Sequence, residues 1–325
     1  MKKRIKYILI MLLGIGLLVS CAPNKIKVAH TVYPVEYLID RIGGDRVETI
    51  PFSTNENVMR STLVDHYIDI IKEVDTIFTI GGLEPYLDLI NEDIQDYNPD
   101  MYDLGSKAAI VPFFRHTTAY VDNISVEVDS RYYDNPLFDH VDTYINDPYI
   151  WLDPIMMTSM ANEILSYFIE KDPQNQAFYE SNFDSVKMDL ANLDANYAQL
   201  KSLNGTAIAT MIPAFGRYAN NYGLRVSPII LSKYGNLPTD EQLEIIKSRL
   251  LNDGVRHIIV EHGLDKDIEA LAESLAKELN LEVVYIDSLT HRTALQVENG
   301  EDYLHIMNQN LAQFLDLARN NEEGN

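Results

Sequence analysis

The sequence predicts an α/β protein of two lobes, each with a mostly parallel sheet flanked by helices, joined by one long rigid linker helix. Segments typical of strands alternate with helical segments before residue 105 and again after residue 204. Between these regions, apolar residues recur at alternating intervals of four and three, which is typical of a single long helix.

The first lobe is predicted from a β-α-β-α-β order. We predict strands at 26–32, 46–52, 76–80 and 101–104, and helices at 34–42, 61–74 and 84–94. Pro34 falls in the first turn of the first of these helices, where its missing N–H has no consequence. The order favours a parallel sheet with helices on both faces.

Residues 105–148 interrupt the alternation of strands and helices. They are rich in Asp, Asn, Ser, Thr and Tyr, with only scattered apolar residues. We predict a long loop with a short hairpin near 118–128. A loop of this length inside a compact domain is typical of a functional or mobile segment.

The middle of the chain is predicted to be helical. A helix at 154–169 ends before Asp172-Pro173, and the long helix follows. The apolar stripe of the long helix consists of Tyr179, Phe183, Val186, Leu190, Leu193, Tyr197 and Leu200. One arm of a coiled-coil pair would show the same spacing, but the sequence has no second arm of that length, so we favour a linker between two lobes.

The alternation of strands and helices resumes in the last third of the chain. We predict strands at 206–211, 225–231, 257–261 and 282–287, and helices at 215–222, 239–252, 265–279 and 301–319. The predicted organisation is therefore a signal peptide over 1–20, an N-terminal lobe over 21–172, the linker helix over 173–203 and a C-terminal lobe over 204–325.

The N-terminus predicts export. A cluster of positive charges precedes an apolar run at 7–19, which is too short to be a spanning helix. Ser20 before Cys21, the only cysteine, resembles the lipobox of bacterial lipoproteins. That resemblance implies a lipid on Cys21 that anchors the protein to the extracytoplasmic face of the cell membrane. The alternative is an ordinary signal peptide followed by a single cysteine.

Composition and motifs exclude several classes of function. The formal net charge is −23 and falls further once the basic leader is removed, which argues against a nucleic-acid partner. The sequence contains no G-x-S-x-G, P-loop, H-E-x-x-H or C-x-x-C motif. We therefore predict a monomeric protein that is not an enzyme and needs no catalytic cofactor.

The segment Asp147–Pro154 contains the only tryptophan and has an X-Pro pair at each end. A residue before proline is held away from the helical region, so the segment is expected to be extended and rigid. An extended segment would direct Tyr149, Trp151 and Asp153 to one face. Two interpretations follow: the segment presents a ligand group, or it is a buried aromatic anchor at a helix start.

Polar residues end two neighbouring predicted strands of the second lobe. Glu261 and His262 follow one strand, and Asp287 ends the next. Ligands of such folds bind beyond the carboxyl ends of the strands. Carboxylate oxygens with a nearby imidazole suit a divalent cation. In the alternative interpretation, Glu261 pairs with a basic neighbour or a helix N-terminus and Asp287 caps a turn.

Several segments in order resemble a known family. They are Thr31-Val32-Tyr33-Pro34, Gly82-Leu83-Glu84-Pro85-Tyr86, Asp147–Pro154, Ala214-Phe215 with Tyr222-Gly223-Leu224, and Tyr285-Ile286-Asp287-Ser288-Leu289. Together they resemble the metal-binding solute-binding lipoproteins of bacterial zinc/manganese ABC transporters, known as cluster A-I. The resemblance runs from about Lys25 to the last helix and implies two α/β lobes joined by one rigid helix.

The resemblance also implies four metal-ligand positions, and most of them are substituted. Matching motif by motif places the first three at Asn57, Tyr149 and Ile212, whereas only Asp287 is a residue that the family uses as a ligand. Asn and neutral Tyr are weak ligands for zinc or manganese, and Ile is none. Glu56, Glu261 and His262 are possible auxiliary residues of the same cleft. We hypothesise a degenerate metal site.

The resemblance implies an extracytoplasmic solute-binding lipoprotein of a metal-ion ABC transporter. Its partners would be the permease and its ATPase, and its ligand a divalent cation, zinc or manganese. The alternative is an adhesin or partner-binding lipoprotein of the same fold that does not take part in transport.

Overall fold

The computed structural model describes residues 25–54, 57–107, 112–113, 115–121 and 124–323. Within these residues the chain forms two four-stranded parallel sheets, one two-stranded antiparallel hairpin and a long helix between the two large sheets. This arrangement confirms the predicted α/β fold class with two sheets and one linking helix.

The first sheet consists of β1 (Ile26–His30), β2 (Val47–Pro51), β3 (Thr76–Thr79) and β4 (Met101–Asp103). Its strand order is β2-β1-β3-β4, and every neighbouring pair is parallel. The carboxyl ends of all four strands therefore meet at one edge of the sheet.

The helices of the first lobe are α1 (Tyr33–Gly43), α2 (Tyr67–Glu73) and α3 (Asn91–Tyr97). The helix predicted over 61–74 was too long, because the chain pairs back through a bridge between Ser53 and Leu63 before the helix starts. The helix predicted over 84–94 is divided, since its first part, Pro85–Ile90, is a 3₁₀ helix.

A β-hairpin lies within the long polar stretch, as predicted. Strands β5 (Arg115–Val121) and β6 (Ile124–Ser130) pair antiparallel. The hairpin is longer than the predicted 118–128, and it accounts for part of the region expected to be loop.

The segment Asp147–Pro154 is not extended between its prolines, and that expectation was wrong. Residues Ile150–Leu152 form a 3₁₀ turn, with the Asp153 N–H donating to the Ile150 carbonyl. Because a turn does not alternate faces, the four residues from Tyr149 to Leu152 are all buried. The Asp147 side chain accepts from the Tyr149 N–H at 3.0 Å, which favours the turn over a strand.

Helix α4 (Pro154–Lys171) begins at this turn. Asp153 is its N-cap, and the carboxylate accepts from the backbone N–H groups of Ile155 and Met156. The long helix α5 (Gln176–Tyr197) follows, extended at its two ends by the 3₁₀ turns Pro173–Asn175 and Ala198–Leu203. Six of the seven predicted stripe residues are buried, and Phe183 is partly buried.

The long helix is fixed to structure on both sides. In the first lobe, Arg41 donates to Asp189 at 2.7 Å and Asn182 donates to the carbonyl of Ile42 at 3.0 Å. In the second lobe, the Tyr197 hydroxyl donates to the carbonyl of Met307 at 2.8 Å. The helix thus holds the two sheets at a set separation, while the lobe boundaries at residues 172 and 204 stay predictions.

The second sheet consists of β7 (Ala207–Thr210), β8 (Arg225–Pro228), β9 (His257–Val260) and β10 (Glu282–Tyr285). Its order is β10-β9-β7-β8, again with parallel pairs only. The central strands β7 and β9 are completely buried. The carboxyl ends of these strands face the loops of the first lobe.

The helices of the second lobe are α6 (Gly216–Tyr222), α7 (Asp240–Asn252), α8 (Lys266–Leu279), α9 (Ala294–Glu298) and α10 (Tyr303–Glu323). Helix α7 begins with a capping box formed by Thr239 and Gln242. The same pair of residue types, Thr293 and Gln296, begins α9, which the sequence analysis missed because five residues are too few for a periodic pattern.

One continuous cluster of buried apolar residues extends through both lobes and the long helix. A smaller cluster, which includes Phe52, Ile70 and Ile77, covers part of the first sheet. No helix in the described ranges is long and apolar enough to span a membrane.

We expect Leu190→Ala to lower the free energy of unfolding by about 2 to 5 kcal/mol, because Leu190 is buried on the long helix and its truncation leaves a cavity. Met188 lies on the same helix but is 67% exposed, so Met188→Ala is expected to stay within about 0.5 kcal/mol of the parent. Denaturant titration followed by circular dichroism measures both. Equal losses in the two variants would contradict the packing of this helix face.

Candidate functional site

The loops at the carboxyl ends of the two sheets are in direct contact. The Tyr33 N–H donates to the carbonyl of Thr290 at 3.0 Å, and the Trp151 indole N–H donates to the carbonyl of Ser288 at 2.8 Å. The Tyr303 hydroxyl in turn donates to the carbonyl of Trp151 at 2.6 Å. The edge where ligands of parallel sheets usually bind is therefore a closed contact between the lobes.

Tyr149 lies in this contact and is completely buried. Its ring packs against Trp151 at 5.3 Å and against Tyr144 at 6.4 Å between ring centroids. Burial raises the pKa of Tyr149 well above its ordinary value, and the nearby Tyr144 and Glu261 raise it further. The phenol is therefore neutral, which makes it a weak ligand for a metal ion.

Glu261 and Asp287 follow neighbouring parallel strands, since Val260 pairs with Tyr285 in the register. Glu261 is buried, and neither of its carboxylate oxygens accepts a hydrogen bond from another residue in the described part of the chain. Burial raises the pKa of Glu261 well above its usual range, and Asp287 adds to this effect. A buried carboxylate without partners is costly unless it is protonated or holds a cation.

The carboxylate of Asp287 is engaged on both oxygens. One oxygen accepts from the Leu289 N–H at 2.6 Å and the other from the Gln296 side-chain amide at 2.8 Å. Asn310 also makes two hydrogen bonds with the backbone of Asp287. These contacts fix the orientation of the carboxylate at the end of its strand.

The other two positions that the resemblance assigns to ligands offer little to a metal. Asn57 is buried, its side-chain oxygen accepts from the Met59 N–H at 3.1 Å, and its amide donates to Asp265 at 2.8 Å. Ile212 is buried and has no donor atom. Both polar atoms of Asn57 are thus occupied by protein.

The two remaining auxiliary residues lie elsewhere. Glu56 lies outside the described residues. His262 is exposed, and its ring stacks on that of Tyr285 at 5.2 Å with an interplanar angle of 8°. The structure therefore places His262 on the surface of the sheet edge, and its role in the cleft stays a prediction.

The donors that the structure brings together are oxygens. Among the described residues, no group of three His, Cys, Asp or Glu side chains is arranged to hold a metal ion. Glu261, Asp287 and the phenol of Tyr149 supply two carboxylates and one weak donor. Oxygen donors of this kind suit hard divalent cations better than they suit zinc.

A second buried carboxyl group, which sequence reasoning did not single out as functional, lies at the ends of β1 and β3. Glu84 accepts from the Thr31 hydroxyl at 2.6 Å and from the Ile80 N–H at 2.6 Å. Burial raises the pKa of Glu84 to about 8. This residue connects two strand ends of the first sheet, and its only signal in the sequence was its place in the Gly-Leu-Glu-Pro segment.

The chain is similar to known proteins in both sequence and structure. The family model described as "ZnuA: Zinc-uptake complex component A periplasmic" matches residues 28–316. The high-affinity zinc uptake system protein ZnuA of Bacillus subtilis is 27% identical over 171 residues, which cover 52% of this chain and 53% of that protein. The zinc-binding protein AdcA of Streptococcus pyogenes is 22% identical over 295 residues, covering 89% of this chain and 55% of that protein.

A solved structure shows the same fold. The periplasmic zinc-binding protein TroA of Treponema pallidum superposes with a TM-score of 0.68 at 12% identity, covering 90% of this chain and 99% of that chain. Each alignment with the two curated relatives spans about half of the relative's length.

We expect Glu84→Gln to remove a pH dependence of stability. Burial raises the pKa of Glu84 from the ordinary 4.5 to about 8 in the folded protein. Between these two pH values, the folded state therefore keeps a proton that the unfolded state has lost. This contribution is fully present below about pH 4.5 and is lost as the pH rises to 8, by up to about 1.4 kcal/mol per pH unit. The free energy of unfolding, measured by denaturant titration, should fall less steeply over this interval in Glu84→Gln than in the parent.

The exposed Glu92 provides the matched control, because Glu92→Gln changes the same charge without burial. Its profile should run parallel to that of the parent. Three parallel profiles would show that Glu84 is not protonated in the folded protein.

Proposed function

Because the chain belongs to the family of zinc-uptake complex component A proteins, we propose that it is the solute-binding component of an ABC transporter and carries a divalent metal ion between its two lobes. The relatives named for zinc uptake and zinc binding support this assignment. They also support a binding protein rather than an enzyme and favour transport over the adhesin alternative.

The observation that carries the proposal is the environment of Glu261. A buried carboxylate normally has hydrogen-bond donors or coordinates a metal. Glu261 receives no hydrogen bond from another described residue, yet it lies at a strand end beside the oriented carboxylate of Asp287. A divalent cation bridging the two carboxylates would supply the missing partner.

The cation site that we propose differs from the one implied by the resemblance. Asn57 is engaged with protein, Ile212 has no donor and Tyr149 is a neutral phenol. The ion would therefore be held chiefly by Glu261 and Asp287, with water completing its coordination. With two carboxylates in place of an imidazole-rich set, we expect binding weaker than submicromolar for zinc and manganese.

The partners and the location follow from the same assignment. The solute-binding component delivers its ion to a permease that is driven by an ATPase, on the extracytoplasmic side of the membrane. Lipid on Cys21 would keep the protein at the membrane surface; Cys21 lies outside the described residues. The acidic surface keeps a monomeric, exported body soluble.

We expect the mature protein to bind Zn²⁺ or Mn²⁺ with a Kd above about 1 μM, and Glu261→Gln and Asp287→Asn each to weaken binding by about tenfold or more, which corresponds to about 1.4 kcal/mol. Each substitution removes one charged ligand of the ion. Isothermal titration with each metal alone measures the affinity, and thermal stabilisation by the metal provides a second readout.

Glu273→Gln provides the control for charge, because Glu273 is exposed on a helix of the same lobe. Its affinity should equal that of the parent. Submicromolar binding that Asp287→Ala abolishes would contradict the degenerate site. The absence of any stabilising metal would contradict metal transport and favour the adhesin alternative.

A further inference from the structure

Arg60 connects the loops of the two lobes through four hydrogen bonds. Arg60 lies in the loop after β2, in the first lobe. Its partners Gly235, Asp265 and Asp267 all belong to the second lobe. Two of its nitrogens donate to the two carboxylate oxygens of Asp267 at 2.8 and 3.0 Å. The same guanidinium lies 3.2 Å from Asp265. Such a bidentate pair fixes geometry as well as charge.

Gly235 completes the contact from its backbone. Its carbonyl accepts from two nitrogens of Arg60, at 3.0 and 2.6 Å. A Cβ at position 235 would lie 3.0 Å from the Cγ of Arg60, and the positive φ of +67° disfavours any side chain there. The glycine therefore permits the close approach of the arginine.

Asp265 is directed toward the first lobe rather than toward its own helix. It is the N-cap residue of α8, yet its side chain makes no capping hydrogen bond. The carboxylate instead accepts from the Asn57 amide at 2.8 Å and pairs with Arg60. Hydrogen bonding by Arg60 also holds the pKa of Asp267 below its ordinary value. Two carboxylates at one helix start thus face the first lobe.

One residue of this contact, Asn57, stands at a position that the resemblance assigns to a metal ligand. A metal ligand at this position of the first lobe would bind an ion that is also held by the second lobe, so the ion would connect the two lobes. Here the residue at that position, Asn57, connects the lobes directly by its hydrogen bond to Asp265. The connection needs no ion, because donor and acceptor are both protein groups.

We propose that Asn57 and Arg60, with Gly235, Asp265 and Asp267, form a latch that keeps the cleft closed when no metal is bound. This inference rests on the proposed function, since it concerns how the same cleft admits its ion. The ion enters only when the latch opens, so Arg60 is a positioning residue that controls lobe separation rather than a ligand.

The exposure of the latch makes it reversible. The side chains of Arg60, Asp265 and Asp267 are 28%, 41% and 49% exposed. Charge pairs at this level of exposure are screened by salt, with a Debye length of about 10 Å at 0.1 M and about 3 Å at 1 M. High salt should therefore open the latch without any substitution.

The test measures the distance between the lobes in the absence of metal. Cys21 is the only cysteine, so after it is replaced by serine, spin labels can be placed at Asn91→Cys and Asn252→Cys, two exposed positions on different lobes. Pulsed electron paramagnetic resonance then reports the distribution of distances between the two labels, in protein treated with chelator and in protein saturated with Zn²⁺.

We expect one short distance in the parent that Zn²⁺ leaves unchanged, and a longer population in metal-free Arg60→Gln. Lys171→Gln is the matched control, because the Lys171–Asp100 pair is 40% and 46% exposed but lies within the first lobe, at the amino end of its sheet. That variant should match the parent. Asp267→Asn breaks the latch from the second lobe, and 1 M salt weakens it in the parent, so both should lengthen the distance as Arg60→Gln does.

Unchanged distances in Arg60→Gln and in high salt would overturn the latch, as would an equal change in Lys171→Gln. A metal-free parent that is already open, and closes with Zn²⁺, would also overturn it. The distance measurements test the latch in protein without metal, whereas the titration tests metal binding. Failure of the latch can therefore be distinguished from failure of metal binding.

Discussion

The long helix Gln176–Tyr197 is packed against both lobes, and the geometry of the cleft depends on this packing. Its buried stripe belongs to the larger apolar cluster, which extends through both lobes, and its polar contacts reach the first lobe through Arg41 and the second through Met307. A linker that is part of the core cannot swing freely. We therefore expect lobe movements to be small displacements at the facing loops.

At those loops, the chain has the scaffold of a metal-binding family but a different set of side chains. The turn at Tyr149–Leu152 buries its aromatic residues and uses the indole of Trp151 to hold the second lobe. What is left for an ion is the carboxylate of Glu261 beside the oriented Asp287. The cost of burying Glu261 without donors is the physical reason for expecting a cation there.

In our proposals, the residues that differ from the ligands implied by the resemblance and the direct contacts between the lobes belong together. A bridging metal stabilises a closed cleft only when its ligands come from both lobes. Asn57 donates a hydrogen bond to Asp265, and Arg60 forms a bidentate pair with Asp267. In the proposed latch, closure depends on these protein groups, and we expect its strength to vary with salt as well as with metal concentration.

The sequence by itself determined the element order, the parallel sheets and the long helix, because hydrophobic periodicity and capping residues act locally. It also predicted, from the resemblance, that Tyr149 and Ile212 stand at ligand positions. It did not show the 3₁₀ turn Ile150–Leu152, which lies between the two X-Pro pairs, whereas Asp153 before Pro154 is extended as expected. The lack of a hydrogen bond to Glu261 from any other described residue, the burial that raises the pKa of Glu84 and the partners of Arg60 were decided only by the tertiary structure. Each depends on which groups from distant parts of the chain meet after folding, and Arg60 meets Asp267 across 207 residues.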